Sequence, residues 1–170
     1  MNFPPLSGLR QNSHIPAWLT SNPTAVPYFE GQMLTFTLKS LGESDQNDAQ
    51  CAVAAFLSLE RKDRLAAGPY VFANYRRMAG LIGEEDLSCK IDSQDQVWVH
   101  VHPSEIFVSR RRRRDRVIYV EIMAECDWER EHGLQIIYRR GCELSRVSDQ
   151  DGHLTHADAY NLPEDQDKIA

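Results

Sequence analysis

Residues 117–126 constrain the fold more than any other part of the sequence, because their side chains alternate in character at every step. One set is apolar: Ile118, Val120, Ile122, Ala124 and Cys126. The set between them is mixed: Tyr119, Glu121, Met123 and Glu125. An extended chain points successive side chains to opposite faces, so this period of two predicts a strand with one buried face.

Shorter runs rich in β-branched and aromatic residues lie on both sides of this strand. They span residues 105–109, 134–139 and 142–148, and a tight turn over Arg139, Arg140 and Gly141 separates the last two. Successive strands with short connections pair antiparallel. The sequence therefore predicts an antiparallel β-meander over residues 105–148.

Helical patterns precede the meander. Residues 42–48 are rich in capping side chains, and residues 49–65 contain good helix formers. A second helix is predicted from Pro69, which suits a first helical position, to Gly83. Its apolar residues recur at helical spacing: Val71, Tyr75, Met78 and Ile82. We expect the two helices to form one layer of the core.

The first 31 residues contain five prolines, which fix φ and remove backbone donors, so an irregular Pro-rich N-terminal arm is predicted. Alternation over residues 33–39 predicts a strand, and the polar tail is expected to pack through Leu154, Tyr160 and Leu162 before it frays. The predicted fold is α+β, with two helices packed on an antiparallel β-meander. One domain is expected over residues 1–170: arm 1–31, strand plus helical layer 32–104, antiparallel sheet 105–148 and tail 149–170.

Composition limits the classes of function. The chain is 42% hydrophobic and 26% charged, which is typical of a chain that buries a core, and its net charge of -6 weighs against a general nucleic-acid binder. There is no run of about 18 apolar residues and no secretory signal, so we expect a cytoplasmic protein with no membrane partner. Four scattered cysteines are expected to be free thiols: Cys51, Cys89, Cys126 and Cys142.

Five consecutive arginines form the most conspicuous charged feature: Arg110, Arg111, Arg112, Arg113 and Arg114. Guanidinium groups bind oxyanions bidentately, so the run is a candidate site for phosphate or an acidic partner. The alternative is a solvated connection between two strands, whose like charges keep a sheet edge soluble. We favour the connection, because no aromatic side chains are interleaved to stack on bases.

Residues 126–134 (CDWEREHGL) bring a cysteine, several acids and a histidine together. His132 with Glu129, Glu131 or Asp127 is a candidate general acid–base pair, and a cysteine with a histidine is a candidate nucleophile and base. A catalytic pair also needs a third orienting group and a pocket, which the sequence does not reveal.

The alternative for the same segment is a structural corner between two strands. In that interpretation Trp128 closes the core, His132 hydrogen-bonds the turn and Gly133 adopts a φ that other residues resist. We favour this interpretation and expect no catalytic residues here. A buried His132 with both ring nitrogens occupied, and no adjoining pocket, would exclude catalysis.

No metal or cofactor is predicted. The candidate ligands lack CxxC or HExxH spacing: Cys126, His132, Cys142, His153 and His156. His100 and His102 alternate with valines and are interpreted as one polar face of an extended segment. The glycine-rich phosphate-binding motifs and the GxSxG serine-hydrolase motif do not occur.

Two motifs carry a family resemblance: CxWExEHGL over residues 126–134 and QDGHLTxADAY over residues 150–160. On these motifs the chain resembles a family of uncharacterised bacterial proteins classed as a domain of unknown function, over about residue 48 to the C terminus. The resemblance implies small cytosolic proteins, some of them encoded beside contact-dependent toxin and immunity genes. It implies no catalytic residues.

These observations favour a non-enzymatic protein-binding module, with an immunity-type protein as its more specific form. An acidic chain without a recognisable catalytic constellation is suited to steer association with a basic partner. Two alternatives stay open: a small hydrolase-like enzyme that uses His132 with nearby acids, and nucleic-acid or phosphate binding through Arg110–Arg114. The sequence does not fix an oligomeric state.

Overall fold

The computed structural model describes residues 3–169, which contain nine strands and three α-helices. The first strands are short: β1 (Arg10–Gln11), β2 (Trp18–Thr20), β3 (Thr24–Val26), β4 (Gln32–Leu34) and β5 (Phe36–Lys39). Two long helices follow, α1 (Gln46–Leu57) and α2 (Arg61–Ile82). The second half contains β6 (Val101–Arg110), β7 (Ile118–Cys126), β8 (Glu129–Arg139), β9 (Glu143–Ser148) and the short helix α3 (His156–Ala159).

Seven strands form one sheet in the order β1-β2-β5-β6-β7-β8-β9. The neighbours from β6 to β9 are antiparallel, so the predicted antiparallel sheet and the α+β class are confirmed. The sheet is not purely antiparallel, because β5 and β6 run parallel. A parallel pair needs a crossover connection, and α1 and α2 occupy it.

The N-terminal arm is not irregular throughout. Strands β1 and β2 extend the edge of the large sheet, and β3 pairs with β4 in a separate two-stranded ribbon. The prolines do not prevent this, because Pro16, Pro23 and Pro27 lie between the strands. The strand predicted over residues 33–39 is divided at Thr35, and its two halves belong to different sheets.

The break between the two long helices lies earlier than predicted. It falls at residues 58–60, where the Asp63 carboxylate accepts a hydrogen bond of 2.8 Å from the Glu60 backbone N–H and caps α2. Pro69 is inside α2 rather than at its start, and it is exposed, so its ring does not disturb the core. No helix within residues 3–169 is long and apolar enough to cross a membrane.

The core lies between the two long helices and one face of the sheet. The apolar side of β7 faces it, with every member at most 2% exposed: Ile118, Val120, Ile122, Ala124 and Cys126. The other side of β7 is largely buried as well, since Tyr119 and Glu121 are 1% and 2% exposed. The prediction that only one face of β7 is buried is therefore wrong for Tyr119 and Glu121.

The segment after β9 covers part of that second face. The side chains of Gln135 on β8 and Arg146 on β9 both donate hydrogen bonds to this segment, to the Asp151 carboxylate and to the His153 carbonyl. The carbonyl of Ile169 accepts a 2.9 Å hydrogen bond from the Val147 N–H, so the tail contacts β9 up to the last residue that the structure describes.

The buried contacts of the tail differ from the predicted ones. Thr155 and Ala157 are 1% and 0% exposed, whereas Tyr160 is 65% exposed and Leu154 and Leu162 are only partly buried. The Thr155 hydroxyl also caps α3, because it accepts a 3.1 Å hydrogen bond from the Asp158 N–H.

The turn between β8 and β9 touches α1 at Gly141. Its φ is +80°, and a Cβ at this position would lie 1.9 Å from the Ala52 carbonyl oxygen. Helix and turn can meet this closely only because a side chain is absent.

Replacing Gly141 with alanine should therefore lower the free energy of unfolding by about 2–4 kcal/mol, through the clash and the positive φ together. Urea denaturation measures the loss. Gly31→Ala is the control, because Gly31 has φ +89° and no atom within 4 Å of the added Cβ, so it should lose only about 1 kcal/mol. Equal losses in the two variants would contradict the close approach.

Candidate functional site

A two-residue turn, Asp127–Trp128, joins β7 to β8. We call this turn together with the end of β7 and the start of β8, residues 126–134, the corner. Trp128 is 3% exposed, and its indole N–H donates to Asn74 Oδ1 on α2 at 2.9 Å. Its ring also packs edge-on against Tyr75, with the centroids 6.0 Å apart. The corner is thus fixed to α2 by a buried aromatic side chain.

The strands separate beside the turn. Cys126 pairs with Glu129, and the next pair is Ala124 with Leu134, so residues 130–133 bulge opposite Glu125. One oxygen of Glu129, Oε1, closes the bulge by accepting from the backbone N–H groups of Glu131 and His132 at 2.9 and 3.2 Å.

Gly133 ends the bulge with φ +65°, and a Cβ there would lie 2.6 Å from the Ala124 carbonyl oxygen. The side-chain amide of Gln150 donates to the carbonyls of Ala124 and Leu134 at 2.9 and 3.3 Å. The first residue of the second sequence motif therefore contacts the end of the first motif.

His132 is exposed, and its ring makes no hydrogen bond within residues 3–169. Its side chain is 62% exposed, and Nδ1 lies 3.6 Å from Glu129 Oε1, which is too long for a hydrogen bond. The backbone N–H of His132, rather than its ring, bonds the bulge. The condition that would exclude catalysis is not met, because the ring is exposed and a cavity adjoins it.

Asp127 lies between two histidines that the sequence did not connect to the corner. Its Oδ2 is 2.8 Å from His100 Nδ1, and its Oδ1 is 3.0 Å from His102 Nε2. The hydrogen bond from His100, helped by that from His102, lowers the pKa of the Asp127 carboxyl. Asp127 is therefore held in place through both carboxylate oxygens, and its negative charge is stabilised.

The register of β6 and β7 explains this contact. Val101 pairs with Cys126, so the next residues outward, His100 and Asp127, face each other. His100 ends a 3₁₀ helix, Gln94–His100, directly before β6. A prediction that began β6 at Val101 instead of residue 105 would have brought the two histidines to the corner.

An open cavity of about 510 Å³ lies on the corner, and we call it the acidic groove. Its carboxylates come from Glu125, Asp127, Glu129 and Glu131, and its other charged or titratable groups are His102, Cys126, Arg130 and His132. The side chains of Glu125 and Glu131 have no hydrogen-bond or ion-pair partner within residues 3–169. The groove therefore offers negative charge to a ligand.

The family model described as Domain of unknown function (DUF6985) matches residues 6–154. The chain belongs to this family. The match begins at Leu6, well before the expected start near residue 48, and contains the whole corner. No curated protein and no solved structure gives a significant match.

The first residue of the arginine run in this DUF6985 chain is paired with carboxylates of the same chain. Arg110 bonds Asp45 through Nε and Asp48 through an Nη, both at 2.6 Å, next to the start of α1. Arg112 donates to the Ser40 carbonyl at 2.6 Å. Arg113 is exposed and has no hydrogen-bond or ion-pair partner among the described residues.

Arg111 is the most buried of the five, with 4% of its side chain exposed. It donates to Asp158 at 2.7 Å, to Glu164 at 2.6 Å and to Thr155 at 3.2 Å. Burial alone would lower the pKa of the guanidinium, but the hydrogen bonds to Asp158 and Glu164 raise it. Arg114 also bonds Glu164, at 2.6 Å. These arginines clamp the tail, which weighs against an open phosphate site.

Cys126 is a poor nucleophile in this setting. All four cysteines are free, and burial raises the pKa of the Cys126 thiol to about 12, so the thiol is neutral near pH 7. No three His, Cys, Asp or Glu side chains within residues 3–169 are placed to hold a metal ion.

Alkylation of the native protein tests the state of Cys126. At pH 8 iodoacetamide should modify the exposed Cys51 and Cys142 first, and Cys126 at least about a hundredfold more slowly, because almost none of it is thiolate. Peptide mass spectrometry over time gives the rates, and the unfolded chain gives the uninhibited rate. Rapid modification of native Cys126 would revive the nucleophile hypothesis.

The tail clamp should depend on pH. Hydrogen bonds from Arg111 and Arg114 lower the pKa of Glu164 from 4.5 to about 2, so its stabilisation is complete above pH 4.5 and is lost as the pH falls towards 2. Glu164→Gln should lower the free energy of unfolding by about 1 kcal/mol at pH 7, since Glu164 is half exposed, and the difference should vanish at low pH.

The control for Glu164 is Asp165→Asn, which neutralises an exposed neighbouring carboxylate that has no hydrogen-bond or ion-pair partner among the described residues. Denaturant unfolding from pH 7 to pH 2 gives both differences. An equal pH dependence for the two variants would show that the clamp does not carry the effect.

Proposed function

We propose that this DUF6985 protein is a non-enzymatic protein-binding module whose corner docks a positively charged surface of a partner protein. The observation that carries the proposal is the acidic groove, where Glu125 and Glu131 are exposed and unpaired within the described residues. Charge that is not used internally is available to steer and orient a cationic partner.

The contacts at the corner favour binding over catalysis. The oxygen of Glu129 nearest to His132 already accepts two backbone N–H groups, and the Cys126 thiol is buried. A general base needs a partner that orients its ring through a hydrogen bond, and the ring of His132 has none within residues 3–169.

The more specific form of the proposal is an immunity-type protein in the bacterial cytoplasm, which occludes a toxin. Toxins that act on nucleic acids carry basic surfaces, because they bind phosphate backbones. An acidic groove of about 510 Å³ on a chain with net charge -6 is complementary to such a surface.

A second candidate is a small hydrolase that uses His132 with Glu129 or Glu131. One observation favours it: the cavity adjoins an exposed imidazole, and His102 beside it is oriented by Asp127 at 3.0 Å. It predicts turnover of a substrate that His132→Ala abolishes, whereas the binding module has no turnover to lose.

Charge reversal tests the binding proposal. The variant Glu125→Lys with Glu131→Lys should weaken binding of the partner by about tenfold or more, and most strongly at low salt, because two groove carboxylates become cations. Affinity purification from the native host identifies the partner, and calorimetry of the purified pair at low and high salt gives the dissociation constants.

The matched control is Glu43→Lys with Asp165→Lys, which makes the same change in net charge at two exposed residues outside the corner. It should bind like the unaltered protein. Equal weakening by both double variants, or no stoichiometric partner for the unaltered protein, would refute the proposal.

A further inference from the structure

A second groove, which we call the α2 groove, lies between the last turn of α2 and the corner. It encloses about 330 Å³ and shares Asp127, Glu129, Arg130 and Glu131 with the acidic groove. Its apolar wall is formed by Met78, Ile82, Leu87 and Trp128. The two grooves are therefore adjacent but differ in chemistry.

The end of α2 leaves two apolar side chains exposed: Ile82 lines the groove, and Leu81 precedes it in the chain without lining the groove itself. Leu81 is 67% exposed and Ile82 is 47% exposed, whereas Val71 and Tyr75, earlier on the same helix, are fully buried. Gly83, with φ +94°, ends the helix directly after them. Neighbouring exposed apolar side chains next to a concave apolar wall are typical of an interaction surface.

The rim of the α2 groove is acidic. Asp86 lies on the exposed 3₁₀ helix Glu84–Asp86, and Glu129 and Glu131 face it from the corner. Arg130 is the one lysine or arginine that lines the groove within residues 3–169. A ligand that fits therefore combines an apolar group with positive charge.

We propose that the α2 groove binds a segment of a partner protein in which a large apolar residue is flanked by lysine or arginine residues. The apolar side chain of this segment enters the groove. The inference rests on the proposed function and defines the partner's contact segment. The apolar anchor would cover Leu81 and Ile82 and fill the wall at Met78, and the flanking cations would reach Asp86 and Glu131.

Charge complementarity selects this occupant over two others. A second copy of the chain carries a net charge of -6 and would place like charges at the rim. An anionic membrane surface would be repelled by the same carboxylates. A volume of about 330 Å³ is at the small end of ligand pockets, which span about 300–1,000 Å³, and suits one anchoring side chain.

The two grooves should contribute differently to affinity. Contacts between exposed charges weaken as salt rises, whereas burial of apolar surface does not. The variant Leu81→Ser with Ile82→Ser should therefore weaken binding by about tenfold or more at every salt concentration. Met33→Ser, at a residue that is 58% exposed on β4, is the control and should bind unchanged.

Site-specific photo-crosslinking identifies the occupant. The photoreactive residue p-benzoylphenylalanine replaces Leu81, Glu125 or Met33 in the full chain, expressed in the native host. From Leu81 we expect a crosslink to a partner segment with a large apolar residue flanked by lysine or arginine, and from Met33 no crosslink to that segment.

The outcomes separate this inference from the function on which it rests. Partner capture from Glu125 without capture from Leu81, or unchanged affinity of the serine variant, would overturn the α2 groove and leave the acidic groove standing. A Leu81 crosslink to a second copy, to lipid or to an acidic segment would also overturn it. Capture from none of the positions would overturn both proposals.

Discussion

The hydrogen bond between Trp128 and Asn74 holds together the region on which the two grooves depend. Asn74 is 5% exposed and uses both ends of its side chain, since Oδ1 accepts from Trp128 and Nδ2 donates to Asp149 at 3.1 Å. Asp149 in turn accepts from Arg77 at 2.6 Å. One amide thus joins the corner, α2 and the chain after β9. A buried amide that lost either partner would be left unsatisfied, so the three elements are positioned together.

Burial on both faces of the sheet explains why so many charges in this acidic protein are paired internally. Glu121, 2% exposed, accepts from Lys39 at 2.9 Å and from Ser109 at 2.8 Å. Arg146, 3% exposed, bonds Asp151 at 2.6 Å. Buried charges are tolerated only when they are paired and hydrogen-bonded. Glu125 and Glu131 of the acidic groove differ from these buried charges, because they are exposed and have no such partner among the described residues.

Local patterns predicted the parts of the fold that depend on local periodicity. The alternation of β7, the antiparallel order from β6 to β9 and the end of α2 at Gly83 follow from side-chain spacing and backbone preference. The parallel pairing of β5 with β6 and the strands of the N-terminal arm do not, because they are chosen by partners distant in the chain. The predicted start of α2 is wrong because proline is commonest at the first helical position, whereas Pro69 lies inside this helix.

The candidate site was predicted only in its local part. The segment 126–134 was recognised, but its partners His100 and Asn74 lie 27 and 54 residues away from the residues that they contact. The sequence near the arginine run predicts a solvated connection, because nothing in it indicates that Asp158 and Glu164 contact and bury Arg111 from 47 and 53 residues away. Pairing of this kind becomes visible only when the chain is folded.

The ion pairs of Arg111 extend beyond the part of the chain that the family match covers. The family match ends at Leu154, whereas the carboxylates nearest to this buried cation, Asp158 and Glu164, lie after it. A chain cut at the family boundary would retain Asp115, 3.6 Å from Arg111, as its only ion-pair partner among the described residues. We therefore expect a chain cut at Leu154 to be less stable than the full chain, because the buried Arg111 would lose two of its three carboxylate partners among the described residues.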